Sequence, residues 1–244
     1  MNVERPVWVA QLGRIEYGAA FGLQRFLAAE RDAERVPDLL LFVEHPPVFT
    51  LGRRGSRDDI YTSPEELERL GIAVHETNRG GLVTYHGPGQ VVGYPIVRLR
   101  ELARDAPSFV WGLEETIIQT LRGLGVATLR DASNRGVFAA QGKIAAIGVA
   151  VIHGVTIHGF ALNVAPDLGH FALINPCGLG DRGVTSAERV LGQALDTARL
   201  TQALAFHFGS VFRRPVVPAP GRFWQTLERF GFGIGRPAVG HKSD

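Results

Sequence analysis

"GVFAAQGKIAAIGVAVIHGVTIHGFALNV", residues 136–164, is apolar almost throughout, rich in Val and Ile, and broken by glycines and histidines at short intervals. Val and Ile favour the pleated, half-buried surface of a sheet. The glycines at 142 and 154 fall between apolar runs short enough to be strands, where a chain reversal needs backbone freedom. The stretch therefore predicts strand, turn, strand from Val137 to Val164, with Gly142 and Gly154 at hairpin tips. The same interruptions rule it out as a membrane span, which needs about 18 continuous apolar residues.

Outward from this hairpin, "VWVAQLG" near the N-terminus reads as a strand, and Tyr17 to Glu30 as an amphipathic helix with Ala20, Phe21, Leu27 and Ala28 inward. Asp38–His45 is a buried strand ending at Pro46–Pro47. "TSPEELERLG" marks a short helix with Ser63 as N-cap, Pro64 at the first helical position, Glu66 closing a capping box and Gly71 as the stop. "IAVHET" follows as a strand. Pro107 to Gly123 and Thr197 to Phe212 read as long helices, with a short one near Glu188. Strand-rich segments with a few interspersed helices predict a mixed α/β (α+β) sheet flanked by helices rather than a regular βαβ alternation. "PVVPAPG" has linker composition, so residues 1–216 are expected to form one domain and 217–244 a linker and partly disordered appendage.

The chain has 244 residues, 45% of them hydrophobic and 20% charged, as in an ordinary globular domain with a sizeable core. Its one cysteine forms no internal disulfide, and the N-terminus opens directly into a strand-like run; both lead to the expectation of a reducing cytoplasm and no membrane association. Only Lys143 and Lys242 are lysine among 26 basic residues, so a lysine here is informative. Arg53, Arg54 and Arg57, and Arg98, Arg100 and Arg104, form small basic clusters that fit either a solvated face or an acidic partner. There is no basic run with interleaved aromatics, so no nucleic-acid partner is expected.

Four features carry candidate chemistry. "RGGLVTYHGPGQ" (79–90) is glycine-rich but matches neither phosphate-loop spacing; its glycines permit either tight turns or close backbone approach to an extended ligand. The eight histidines include no pair at metal-ligand spacing, and a lone cysteine excludes a thiolate-rich zinc site, so no metal is expected. His86 suits a pocket wall or a structural hydrogen bond, and His45 a loop constraint. Cys177 sits between Pro176 and Gly178, in a stiff loop that aims a side chain rather than burying it. Lys143 either snorkels from a hairpin end or projects into a cleft. If it meets Cys177 it would lower the thiol pKa.

Four segments, 44–55, 79–96, 142–164 and 174–186, taken in order, closely resemble the lipoyl(octanoyl) transferases over about residues 7–212. The resemblance implies a fold like the biotin/lipoate protein ligases, a mixed β-sheet with flanking helices. It further implies octanoyl transfer from octanoyl-acyl carrier protein to a lysine of lipoate-dependent domains, namely the lipoyl domains of 2-oxoacid dehydrogenase E2 subunits and glycine cleavage H protein. No cofactor is implied, and a monomer is the default. Cys177 carries over as the thioester nucleophile and Lys143 as the residue that lowers its pKa. The acyl pocket carries over to three strips: Arg79, Gly80, Gly81, Leu82, Val83, Thr84, Tyr85 and His86; Ala146, Ile147 and Gly148; Gly159, Phe160 and Ala161. Leu82 departs from the polar residue expected after the double glycine. The rival expectations are an ATP-dependent lipoate or biotin ligase, a non-catalytic carrier-binding module, and a thiol hydrolase pairing Cys177 with His86.

Overall fold

The computed structural model describes residues 5–131, 134–175 and 183–234. In chain order the elements are β1 (Val7–Arg14), α1 (Tyr17–Asp32), β2 (Leu39–Glu44), β3 (Val48–Leu51), α2 (Pro64–Arg69), β4 (Ala73–Glu76), β5 (Val83–His86), β6 (Gln90–Ile96), α3 (Leu99–Leu102) and α4 (Ala106–Gly123). There follow β7 (Leu129–Arg130), β8 (Gly136–Ala139), β9 (Gly142–Ile152), β10 (Val155–Asn163), α5 (Ala187–Leu191), α6 (Thr197–Phe212), β11 (Val216–Pro218) and α7 (Gly221–Arg229).

Among the described residues the strands form a mixed sheet in the order β11-β1-β2-β6-β10-β9-β8-β7 and a smaller sheet in the order β4-β3-β5. The β9–β10 hairpin lies within the large sheet, as its sequence predicts. Gly142 and Gly154 stand at the reversals with φ of 133° and 78°, values that favour glycine. Every residue of β6 and β10 is buried, because helices cover both faces of the sheet. One face packs Phe42, Phe160 and Leu162 against Phe109, Leu113 and Ile117 of α4 and Leu204 and Phe208 of α6. The other packs Leu39, Leu41, Val92 and Tyr94 against Leu23 and Leu27 of α1. A third cluster, with Phe49, Leu67, Tyr85 and Phe171, lies under the small sheet.

Three local expectations need correction. The Ser63 side chain accepts from the backbone N–H of Glu66 as an N-cap should, but the Glu66 carboxylate turns to Arg69 instead of closing the box. An ion pair one turn along the same helix competes with the backbone for that carboxylate. Phe21 is only half-buried, because it lies on the flank of α1 beside Tyr17, four residues earlier, and stacks on His158 at 5.2 Å. Residues 217–234 are not a free linker and appendage. Val216–Pro218 is an edge strand parallel to β1, where proline is tolerated, and α7 buries Phe223, Trp224 and Leu227 against the α1 side of the sheet. The expected disorder of the extreme C-terminus, 235–244, lies outside the described residues.

Candidate active site

A cavity of about 470 Å³ opens between the large sheet, the small sheet and the loops that join them. Its size falls in the ordinary range for small-molecule sites. Every pocket residue named from the sequence lines it: the whole strip Arg79 to His86, Ala146 to Gly148, Gly159 to Ala161, and Lys143 with them. The register explains the convergence of two strips, since Ala146 faces Ala161, Ile147 faces Phe160 and Gly148 faces Gly159 across β9 and β10. Beyond Ala146, β9 outruns β8, and the 79–81 strip crosses there with the Gly80 N–H donating to the Val149 carbonyl at 3.1 Å. Bare glycines make that crossing possible. A Cβ at Gly148 would lie 3.0 Å from the Gly80 carbonyl oxygen; Gly159 serves a different approach, where a Cβ would overlap the Gly93 carbonyl of neighbouring β6.

The glycine-rich segment contains the expected tight turn, and beside it a close backbone approach to another loop of the chain. Pro88–Gly89 is the tight turn joining β5 to β6, with the Gln90 N–H donating to the Gly87 carbonyl at 3.2 Å. Gly80 and Gly81 instead allow the next loop to dock: the N–H groups of Gly52, Arg53 and Arg54 donate to the carbonyls of Leu82, Arg79 and Gly81. Arg79 is buried. Its guanidinium donates to the Thr50 side-chain and backbone oxygens and to the Gly80 carbonyl, so it fastens the small sheet to the cavity wall. Leu82 adds apolar lining where a polar residue was expected.

Beneath the cavity lies a compact set of rings and polar side chains that no local pattern announces. His86 stacks on Tyr17 at 6.0 Å and meets His45 edge-on at 5.8 Å. His45 is pinned as a constraint between β2 and β3: its Nδ1 lies 2.7 Å from the Ile15 carbonyl, and its Nε2 lies 2.7 Å from the Tyr94 hydroxyl. A carbonyl can only accept, so Nδ1 carries the proton and Tyr94 donates to Nε2. Burial pushes the His45 pKa down to about 4. His158 stands at φ 59° with its N–H turned to the Gln24 side-chain oxygen; burial and the Arg79 cation push its pKa down to about 3. His86 lies well below the ordinary value, from burial first, then from the repulsion between two protons on adjacent His45 and His86, and from the Arg79 cation. Burial raises Tyr17 to about 12. The floor of the site is therefore uncharged at neutral pH, apart from Arg79. His153 sits exposed at the β9–β10 tip, far in character from buried His158, and no three His, Cys, Asp or Glu among the described residues gather as metal ligands.

On the cavity wall, Lys143 does not snorkel. It is buried against the wall and donates from Nζ to the Asn134 side-chain oxygen at 2.8 Å. Its backbone pairs with the chain that follows the cysteine loop: the Lys143 N–H donates to the Gly183 carbonyl and the Thr185 N–H to the Lys143 carbonyl. Before the loop, the Asn175 N–H donates to the Asp59 carbonyl at 2.7 Å. Cys177 itself lies outside the described residues. Arg54 and Arg135 also line the cavity. Arg53, Arg54 and Arg57 are exposed nearby in sequence, whereas Arg98 of the other basic cluster pairs with Asp32 at 3.0 Å. Sequence reasoning passed over Gln90, Asn134 and Asn163. The Gln90 amide links β6 to Asn163 of β10 at 2.9 Å, and Asn163 donates to the Thr185 carbonyl at 3.0 Å. These are single polar residues whose partners are distant in sequence.

The family model for the lipoyl protein ligase A/B catalytic domain matches residues 16–209. An octanoyltransferase of Chloroflexus aurantiacus is 48% identical over 211 residues, covering 85% of this chain and 95% of that one. One of Desulforamulus reducens is 44% identical over 207 residues, covering 84% and 91%. Among solved structures, a lipoate-protein ligase A bound with ATP superposes with a TM-score of 0.68 at 17% identity, covering 94% of each chain. A bipartite lipoate protein ligase from Thermoplasma acidophilum superposes at 0.66 and 17% identity, covering 92% of each. The two structures establish the shared fold, a mixed sheet with flanking helices, as the sequence resemblance implied. On the family match and the level of identity to its curated relatives, the chain belongs to the octanoyltransferase family.

Proposed function

We propose that the protein transfers an octanoyl group from octanoyl-acyl carrier protein to a lysine of lipoate-dependent domains by way of a thioester on Cys177. The acyltransferase class follows from family membership. The observation that carries the finer reading is Lys143, a buried lysine in the wall of a largely apolar cavity, on a strand hydrogen-bonded to the chain just after the Cys177 loop.

In the first half-reaction the Cys177 thiolate attacks the donor carbonyl, and the tetrahedral intermediate expels the carrier's thiolate, which takes its proton from the Lys143 ammonium and leaves that lysine neutral. A lysine ammonium near a thiol favours the thiolate, the nucleophilic form. The octanoyl chain would lie along the apolar wall formed by Ile147, Phe160, Ala161 and Val92. In the second half, the acceptor lysine's amine attacks the acyl-enzyme, gives a proton to neutral Lys143 or to water, and expels the Cys177 thiolate as an amide forms. Thioester exchange is close to thermoneutral and amide formation is downhill, so the scheme needs no ATP. The acceptors are lipoyl domains of 2-oxoacid dehydrogenase E2 subunits and glycine cleavage H protein, and the working form is a monomer in the cytoplasm. No helix among the described residues is long and apolar enough to cross a membrane.

Initial rates measured at varied donor and acceptor, without ATP, test the scheme. Parallel double-reciprocal lines are expected. Convergent lines would contradict the covalent intermediate, and a strict requirement for ATP and free octanoate would favour a ligase.

A further inference from the structure

Lys143 is held by a purpose-built seat. Its Nζ donates to the Asn134 side-chain oxygen at 2.8 Å and lies 5.5 Å from the centre of the Phe138 ring. Its stem runs across Gly136, the first residue of β8, which stands at φ 131°. A Cβ there would lie 2.5 Å from the Lys143 Cε and would overlap the Ala145 carbonyl, so only glycine leaves the groove open. Behind that groove, Glu114 of α4 is buried and accepts from the Gly136 N–H at 3.0 Å, while its other oxygen lies 3.2 Å from Arg130. Arg130 also pairs with Glu115 and covers the Trp111 ring at 4.4 Å. The helix thus braces the short segment that carries both Asn134 and Gly136.

From this geometry we infer that Asn134 is the positioning residue of Lys143, fixing its amine at the cavity wall and setting its proton affinity. An amide oxygen accepts from an ammonium but offers an amine lone pair nothing, so the contact favours the charged form. Being neutral, it does so more weakly than a carboxylate would, which leaves the lysine able to release its proton when acyl transfer requires it. Among the described residues, Arg135 and Arg54 line the same cavity, and Glu114 with its partner Arg130 lies behind Gly136. Asn134 is in direct hydrogen-bond contact with the amine. The catalytic consequence rests on the acyl transfer proposed above; the seat does not.

The chain contains only two lysines, so Lys143 can be observed directly. Full-length protein grown with lysine labelled at Nζ and Cε would give two side-chain signals by NMR, assigned with a Lys242→Arg variant. Titrations of the wild type, Asn134→Leu and Asn134→Asp should order the Lys143 pKa as Asp above Asn above Leu, with the Asp variant raised by about one unit. The alkaline limb of the transfer rate should move in the same two opposite directions, while the thermal midpoints stay within a few degrees. Gly136→Ala, which closes the groove from the other side, should also move the Lys143 signal. Identical Lys143 titrations in the three Asn134 proteins would overturn the inference. Ordered titrations in a protein that transfers no octanoyl group would uphold the seat and reject the proposed reaction.

Discussion

Acid should unfold this protein in a narrow range, because three of its rings are buried without charge. His45 and His158 have pKa values pushed down to about 4 and about 3, and His86 lies well below the ordinary value. In the unfolded chain each returns to about 6.5. Between those limits the unfolded chain takes up protons that the folded one refuses. Stability is therefore intact above about pH 7 and falls as the pH drops through 6.5. At pH 5.0, about 1.5 units below the unfolded pKa, His45 and His158 each account for a loss of about 2 kcal/mol, about 4 kcal/mol together, and His86 adds a loss of the same sign. A loss of that size is a large part of the 5–15 kcal/mol typical of a domain. Urea unfolding between pH 5 and 6 should give a slope of at least about 2 kcal/mol per pH unit, before most carboxylates titrate. Substituting His45→Gln, which keeps a polar group beside Tyr94 while removing the ring, should reduce that slope by about 1 kcal/mol per pH unit. A slope below about 1 kcal/mol per pH unit, or one unchanged by the substitution, would refute the assignment of these rings as buried and neutral.

Two further outcomes follow from the cavity wall and its rim. Gly93 leaves room for the Phe160 ring, which a Cβ would overlap, so Gly93→Ala should push that ring toward the cavity and cost about 1–3 kcal/mol in thermal unfolding. If the slot loses the length of two methylenes, the octanoyl-to-hexanoyl ratio of kcat/KM should fall about fifteen-fold, equivalent to about 1.6 kcal/mol; an unchanged ratio would place the chain elsewhere. Arg54 lines the mouth and Arg57 lies exposed close by, so the double reversal Arg54→Glu and Arg57→Glu should raise KM for the acidic carrier donor about ten-fold at low salt and leave KM for a small octanoyl thioester nearly unchanged. Equal effects on both donors would remove this rim from the docking surface.

What could be read from the sequence was what repeats locally. The β9–β10 hairpin declared itself through Val and Ile between two glycines, and the small residues that face each other across it are the ones that line the cavity. The extents of α4 and α6 were legible too, as helices from Pro107 and Thr197, but not their caps, Asp105 and Asp196, which accept from the first-turn N–H groups. What stayed hidden depends on distant partners. Val216–Pro218 reads as a linker until β1 offers it an edge, and α7 has too few turns to announce an apolar face. The Tyr17, His45, His86 and Tyr94 cluster draws on a helix, a turn and two strands, so no spacing reveals it. Arg31 is buried in the interior face of α1 because Asp38, seven residues on, and Glu101 in α3 neutralise it. Asn134 was invisible as well, since its meaning comes from the side chain of Lys143 folding back across Gly136.

The most direct test of the account is the mass of the intact protein after mixing with octanoyl-acyl carrier protein, with neither acceptor nor ATP present, beside Cys177→Ala and Lys143→Met variants. The account predicts a gain of one octanoyl group in the wild type, released by hydroxylamine, absent from the cysteine variant and formed far more slowly in the lysine variant. Turnover with acceptor but no adduct at any time, or an adduct that persists in Cys177→Ala, would contradict it.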